Sequence, residues 1–396
     1  MTTTVWTPPP ADERALTAWL RERCEHDPVQ RDPDGGWHVF GYQEVKEVLA
    51  DHGSFSNAVV RPLPADSPMK LYRAGNLSWM DPPRHRQLRA LVNQVFTARY
   101  VAGLEPMIRE TVETFLGQIR GRPEVSYVEG FASPVVATVI ARMLGIPGKG
   151  HRLFRQWSAD LLALADPSVE QNGLQKVLTN TQLAEAYLHQ FIGRRREHPA
   201  DDLTSGLIAS QVEGERLGDV EIAGLIALLM STGQAATLTL VNAIIVLDAH
   251  RDALVALRAR PELLEPAIEE IMRYRSQTTR VARKTTRDVV VAGHEIPAGR
   301  SVTVWFAAAN RDPRVFAHPD TFDIERTPNP HIALGHGIHF CLGAPLARME
   351  LRIALRRLLE TTVDFAVDRA GTRLLDPRLM FGASEAAVRF HWTDRA

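Results

Sequence analysis

Residues 334–348 read Leu-Gly-His-Gly-Ile-His-Phe-Cys-Leu-Gly-Ala-Pro-Leu-Ala-Arg, a frame that suits one cysteine acting as a metal ligand. A thiolate must reach its metal without crowding, and its negative charge must be held. Gly335 and Gly337 permit tight backbone geometry, and Gly343 lets the chain turn into the segment that follows. Pro345 stands where the first turn of a helix loses nothing by a missing N–H. A helix starting two or three residues after Cys341 would aim free N–H groups and its positive dipole end at the sulfur. Cys341 is therefore the candidate metal ligand. The rival chemistry, an acyl-transfer nucleophile partnered by His336 or His339, would also need an acid to orient the base.

The spacing of Gly335, Gly337, His339, Cys341 and Gly343 resembles the F-G-x-G-x-H-x-C-x-G loop of the cytochromes P450, the haem-thiolate monooxygenases. The chain departs at Leu334, where that family usually has Phe; Leu keeps the apolar packing and loses an aromatic shield. Glu270 and Arg273, three residues apart on one helix face, match the family's buried Glu-Arg pair, and Arg326 is placed to complete it. The likeness runs from about Trp37 to Phe390. It implies a mainly α fold, a triangular helical prism with a small β-rich lobe, folded as a single domain over residues 1–396. It also implies haem b, with Cys341 as axial ligand and with charged donors for two propionates. His85 and Arg89, four apart in an early helix, would reach one; Arg283, with Arg280 as a competitor, and His339 would reach the other. Ferredoxin and ferredoxin reductase are the implied partners. Arg348, Arg352, Arg356 and Arg357 would offer an acidic ferredoxin a basic face, or else pair with Glu350 and Glu360 on a solvated helix.

One segment leaves the family pattern. Where an acid and an alcohol normally supply protons for oxygen activation, the chain reads Thr232-Gly233-Gln234-Ala235-Ala236-Thr237. Either water or a substrate hydroxyl relays the proton, aided by Gln234 or Thr237, or the oxidant is used to couple radicals of an aromatic substrate such as a tryptophan-containing cyclic dipeptide. A peroxide-driven enzyme is a third possibility, lacking the positive distal residue expected of one. A non-catalytic haem sensor or carrier is the rival class. By analogy the pocket draws on 69–79, the middle of the central helix, 277–281 and 380–383, which suits a medium-sized, mostly apolar substrate.

These residues need elements to hold them. Strand-like and helical pieces fall at 36–60, and helical periodicity dominates from Pro82 to about His250. Pro261 to Tyr274 reads as another helix. Thr285 to Phe306 reads as strands, with Gly293-His294-Glu295 and Pro297-Ala298-Gly299 as turns. Asn310 to Ile332 is too long for a plain turn and reads as an ordered functional loop.

Composition narrows the field. The 396 residues carry a formal net charge of -1, which gives no argument for nucleic acid or for a membrane surface. Two cysteines, Cys24 and Cys341, are too few for a disulfide scaffold. The N-terminus lacks the charged and apolar regions of a secretory leader, and the expected location is cytoplasmic. Ile222 to Leu247 is long enough to span a bilayer, yet its hydroxyls and amides predict a buried central helix. Much Arg and Ala with little Lys suggests an actinobacterial source, and natural-product tailoring is the expected setting.

Overall fold

Asp12 opens the first helix, α1 (Glu13–His26), by accepting the Ala15 N–H at 2.8 Å, so one orphan donor of the first turn is satisfied. Strands β1 (Val29–Arg31) and β2 (Trp37–Val39), helix α2 (Tyr42–Ala50) and strand β3 (Phe55–Ser56) follow. A helical stretch comes next: α3 (Arg84–Val95), α4 (Ala98–Gly103) and α5 (Glu105–Ile119), then strand β4 (Glu124–Ser126). It continues through α6 (Ser133–Met143), α7 (Gln171–Glu197), α8 (Leu203–Ala209) and the long α9 (Asp219–Ala249). Helices α10 (Arg251–Ala259) and α11 (Leu264–Tyr274) lead into β5 (Arg280–Thr285), β6 (Val289–Val291), β7 (His294–Ile296) and β8 (Ser301–Trp305). The one-turn α12 (Phe306–Ala309), helix α13 (Ala344–Thr361) and strands β9 (Thr362–Leu374) and β10 (Ala383–Trp392) complete the chain. This computed structural model describes residues 6–58, 74–148, 150–151, 153, 156–157, 160, 171–212 and 214–393.

The chain divides into two units. The first takes Met1–Arg61, Leu238–Ala344 and Phe365–Ala383. Its sheet runs β1-β2-β8-β5-β3, with β2 and β8 parallel and the other neighbours antiparallel. Val29, Val39, Val302 and Val304 from the sheet bury against Val45 and Leu49 of α2 and against Phe316 and Ile332. On α1, Leu16, Trp19 and Leu20 pack with Phe40, Trp305 and Ala308. Ala292 (φ 47°) and Gly293 (φ 81°) make the two-residue turn between β6 and β7, both left-handed as a type I′ hairpin requires. His294 and Glu295 therefore belong to strand β7, not to the turn expected of them.

The second unit takes Pro62–Thr237, Pro345–Asp364 and Ser384–Ala396 and is mainly helical, with β4 paired antiparallel to β10. A Cβ on Gly233 of α9 would meet Ile140 Cδ1 of α6 at 2.2 Å, so this glycine lets the two helices approach. Among the described residues α9 is the helix long and apolar enough to cross a membrane; most of its apolar window is buried within the fold. The strand block starts at Arg280, five residues before the expected Thr285. Charged residues in that stretch conceal it from a period-two reading, while its register with β8 runs unbroken from Arg280↔Trp305 to Lys284↔Ser301.

Candidate active site

The cysteine loop is built within the first unit by its own backbone. Gly335 N–H donates to Ile332 O at 2.9 Å, Phe340 N–H to Gly337 O at 3.1 Å and Cys341 N–H to Leu334 O at 2.9 Å. Asn310 Oδ1 accepts the Ile332 N–H at 2.8 Å and so anchors the loop's entry. Gly335 (φ 79°) and Gly337 (φ 71°) take the left-handed region, and a Cβ on Gly337 would strike Leu49 O of α2 at 2.6 Å. Leu334 is buried, so its apolar packing survives the departure from Phe. Helix α13 starts at Ala344, three residues after Cys341, as the spacing predicts.

Gly343 works differently from expectation. Its φ is not left-handed, and a Cβ there would make only an ordinary contact, 4.0 Å from Cys341 Sγ. A half-buried thiol ahead of an 18-residue helix is a donor that fits a haem iron. Arg283 lies buried on β5, its Nη1 donating to Asn57 Oδ1 and Ala282 O, each at 2.9 Å. Arg280, three positions earlier, takes the opposite face of the strand and packs its guanidinium 5.1 Å from the Trp305 ring centre. His339 closes the 3-10 turn Gly337–His339, two residues before Cys341.

The remaining candidates lie in the second unit. His85 is buried and Arg89 half-buried, one turn apart on α3. Ala235, Ala236 and Thr237 lie in α9; the side chain of Gln234 is outside the described residues, as are residues 69–73 of the expected pocket stretch. Thr237 Oγ1 is buried with no hydrogen-bond partner among the described residues. Ser231 and Thr232 instead donate to the Leu228 carbonyl at 2.9 and 2.8 Å.

The Glu-Arg pair of α11 is more extensive than sequence spacing implied. Arg273 grips Glu270 through two bonds of 2.7 Å, both side chains fully buried. Arg326 Nε reaches both Glu270 oxygens, at 3.2 and 3.1 Å, and Asn329 Nδ2 and the Asp323 N–H add bonds of 3.1 and 3.0 Å. Arg273 also donates to the carbonyls of Asn310, Pro319 and Thr321. The 310–332 loop is thus ordered by this carboxylate and guanidinium rather than by secondary structure.

Glu350 corrects an expectation. It does not pair with the arginines of a solvated face, for it is fully buried in α13 on the stripe Leu346, Glu350, Ile353, Ala354 and Leu358. Glu360 does pair with Arg357 as expected, Glu113 joins it there, and Arg352 pairs with Glu105. Burial pushes the Glu350 carboxyl from 4.5 up to about 8. Between those values the folded chain holds a proton that the unfolded chain has released, so stability falls as pH rises from 4.5 towards 8. The slope reaches about 1.4 kcal/mol per pH unit for one proton. Urea midpoints measured at pH 5.5 and 7.5 should therefore drop for wild type and stay nearer to level for Glu350→Gln; equal slopes in both proteins would refute the buried acid.

A family model described as Cytochrome P450 matches residues 245–368. The cyclomarin C epoxidase CymV of Salinispora arenicola is 39% identical over 350 residues, 88% of this chain and 89% of that protein. The erythromycin C-12 hydroxylase of Saccharopolyspora erythraea is 36% identical over 378 residues, covering 94% of each. Among solved structures, ligand-free cytochrome P450 TbtJ1 superposes with a TM-score of 0.87 at 38% identity, covering 95% of this chain and 97% of that one.

Proposed function

The chain belongs to the cytochrome P450 family, and on that premise we propose that it is a haem-thiolate oxygenase that tailors a medium-sized, mostly apolar or aromatic natural product. Its enzyme class is that of the family, a monooxygenase on a mainly helical P450 fold. The relatives named for cyclomarin C epoxidation and erythromycin C-12 hydroxylation support the natural-product setting. The observation that carries the reading is Cys341 in its glycine-built loop, three residues before the start of α13.

Cys341 would supply the thiolate ligand to haem b. When bound, the haem supplies reductive activation of dioxygen, with electrons from a ferredoxin and its reductase. His85 and Arg89 would hold one propionate, and Arg283 and His339 the other. The exposed Arg356 offers an acidic ferredoxin positive charge, whereas Arg352 and Arg357 are already matched by the acids of α5. A cytoplasmic location is part of this reading.

Ala235 and Ala236 have no proton to give. Thr237 Oγ1, buried and without a partner among the described residues, has one, and it can hold a water or a substrate hydroxyl and pass that proton on. Water- or substrate-assisted oxygen insertion is therefore preferred over radical coupling. Turnover under isotopically labelled dioxygen should give a product with one labelled oxygen. Thr237→Val should lower product formed per electron by about tenfold without weakening substrate binding. A dimeric or cross-linked product without label would replace insertion by coupling.

A further inference from the structure

We infer that Gln277 and Thr279 form a clasp for a cis secondary amide, the edge of a lactam, on the substrate. This deepens the function proposed above and rests on it.

The segment after α11 pairs with the turn at 379–381. Phe381 N–H donates to Gln277 O at 3.0 Å and Thr279 N–H to Leu379 O at 3.3 Å, flanking an antiparallel bridge between Thr278 and Met380. In that register residue 278 points to one face of the strand, and residues 277 and 279 both point to the other. On the far side, Ala307 N–H donates to Thr279 O at 3.1 Å. Asn242 of α9 braces the frame, its Nδ2 donating to Arg275 O at 3.1 Å and Phe381 O at 3.0 Å. Gly382 lies so close to α9 that a Cβ would meet Leu238 Cδ2 at 2.6 Å.

Within this frame three buried side-chain atoms have no hydrogen-bond partner among the described residues, Arg275 Nη2 just after α11 and two more on the strand that follows. Gln277 Oε1 and Thr279 Oγ1 are buried, at 6% and 0% residue exposure, and have no hydrogen-bond partner among the described residues. A folded chain rarely leaves such atoms unmatched, and two on one strand face point to a ligand that matches them. The carboxamide oxygen only accepts, whereas the hydroxyl donates as well as accepts. Alternate residues of a strand lie about 6–7 Å apart, and the longer Gln side chain can bring its oxygen beside the hydroxyl. The pair therefore asks for an N–H and a carbonyl on one edge of the ligand. A trans amide points these groups in opposite directions, while the cis amide of a small ring sets them side by side.

The test uses holoenzyme and two probes, an indole-bearing cyclic dipeptide with both ring N–H groups and its N,N′-dimethyl form. Kd is read from the Soret shift and from calorimetry, and Tm without ligand. Wild type should bind the N–H form about tenfold more tightly than the dimethyl form. Gln277→Met and Thr279→Val should each erase most of that ratio, leave the dimethyl form's Kd within about twofold, and keep or raise Tm, since an unmatched buried atom has been removed. Equal binding of the two forms overturns the clasp. So does failure of the N–H form to bind while the thiolate-type carbon monoxide spectrum is intact, and either result leaves the proposed function standing. A variant whose Tm falls by several degrees with the binding ratio unchanged assigns the pair to the fold and overturns the clasp. Loss of the carbon monoxide spectrum in wild type would overturn the function itself.

Discussion

Reduced with dithionite and exposed to carbon monoxide, wild type should display a red-shifted Soret band that the Cys341→Ala protein is expected to lose. The band reports thiolate ligation, so its loss should be complete rather than graded. The chain offers one other cysteine. Cys24 is buried in α1 among Trp19, Leu20 and Trp305, and burial, followed by the nearby Asp312 carboxylate, pushes its thiol well above the ordinary range. A thiol held neutral cannot replace a thiolate ligand. Cys24→Ala is therefore the control: it should keep the band and lose some stability from the emptied core site. A histidine-type band that is the same in wild type and in Cys341→Ala would overturn the assignment of the ligand and of the propionate donors around it.

The features that were legible in the sequence are those written in local chemistry. Gly, Cys and Pro at fixed offsets announced the ligand loop and the start of α13, because each of those residue types restricts the backbone or the metal by itself. The central helix was readable because α9 is apolar on all sides. What stayed hidden depended on distant partners. Arg280 to Lys284 carries three cations and reads as loop; only pairing with β8 makes it a strand. Strands β9 and β10 at the C-terminal end drew no assignment. Neither did α1, although Leu16, Trp19, Leu20 and Arg23 lie at helical spacing and are buried. Glu350 passes for a surface charge on identity alone, although its spacing from Leu346, Ile353 and Ala354 places it on the buried stripe. The unmatched atoms of Gln277, Thr279 and Thr237 carry no sequence signal at all, since whether a polar group has a partner is decided by the fold.

Glu270→Gln should destabilise the fold by about 3–5 kcal/mol, because it removes the one negative charge around which two buried cations are arranged. Arg273 has no exposed surface and Arg326 little, and Glu270 accepts from both, from Asn329 and from the Asp323 N–H. The carboxamide keeps the shape but offers one acceptor oxygen in place of two, and its NH2 group would face guanidinium donors. Arg273→Lys should fare little better, for an ammonium cannot make the two parallel bonds to Glu270 while also reaching the carbonyls of Asn310, Pro319 and Thr321. The damage should travel along the chain. Asn310 sits in this cluster through its carbonyl and holds the entry to the cysteine loop through its side chain at the Ile332 N–H. Loosening the 310–332 loop therefore loosens Cys341, and haem content per protein should fall together with the urea midpoint. An isosteric double replacement, Glu270→Gln with Arg273→Met, should recover part of the midpoint, because the buried cation leaves with its partner. A single Glu270→Gln protein with an unchanged midpoint and full haem content would show that the buried charges are satisfied by the loop carbonyls alone.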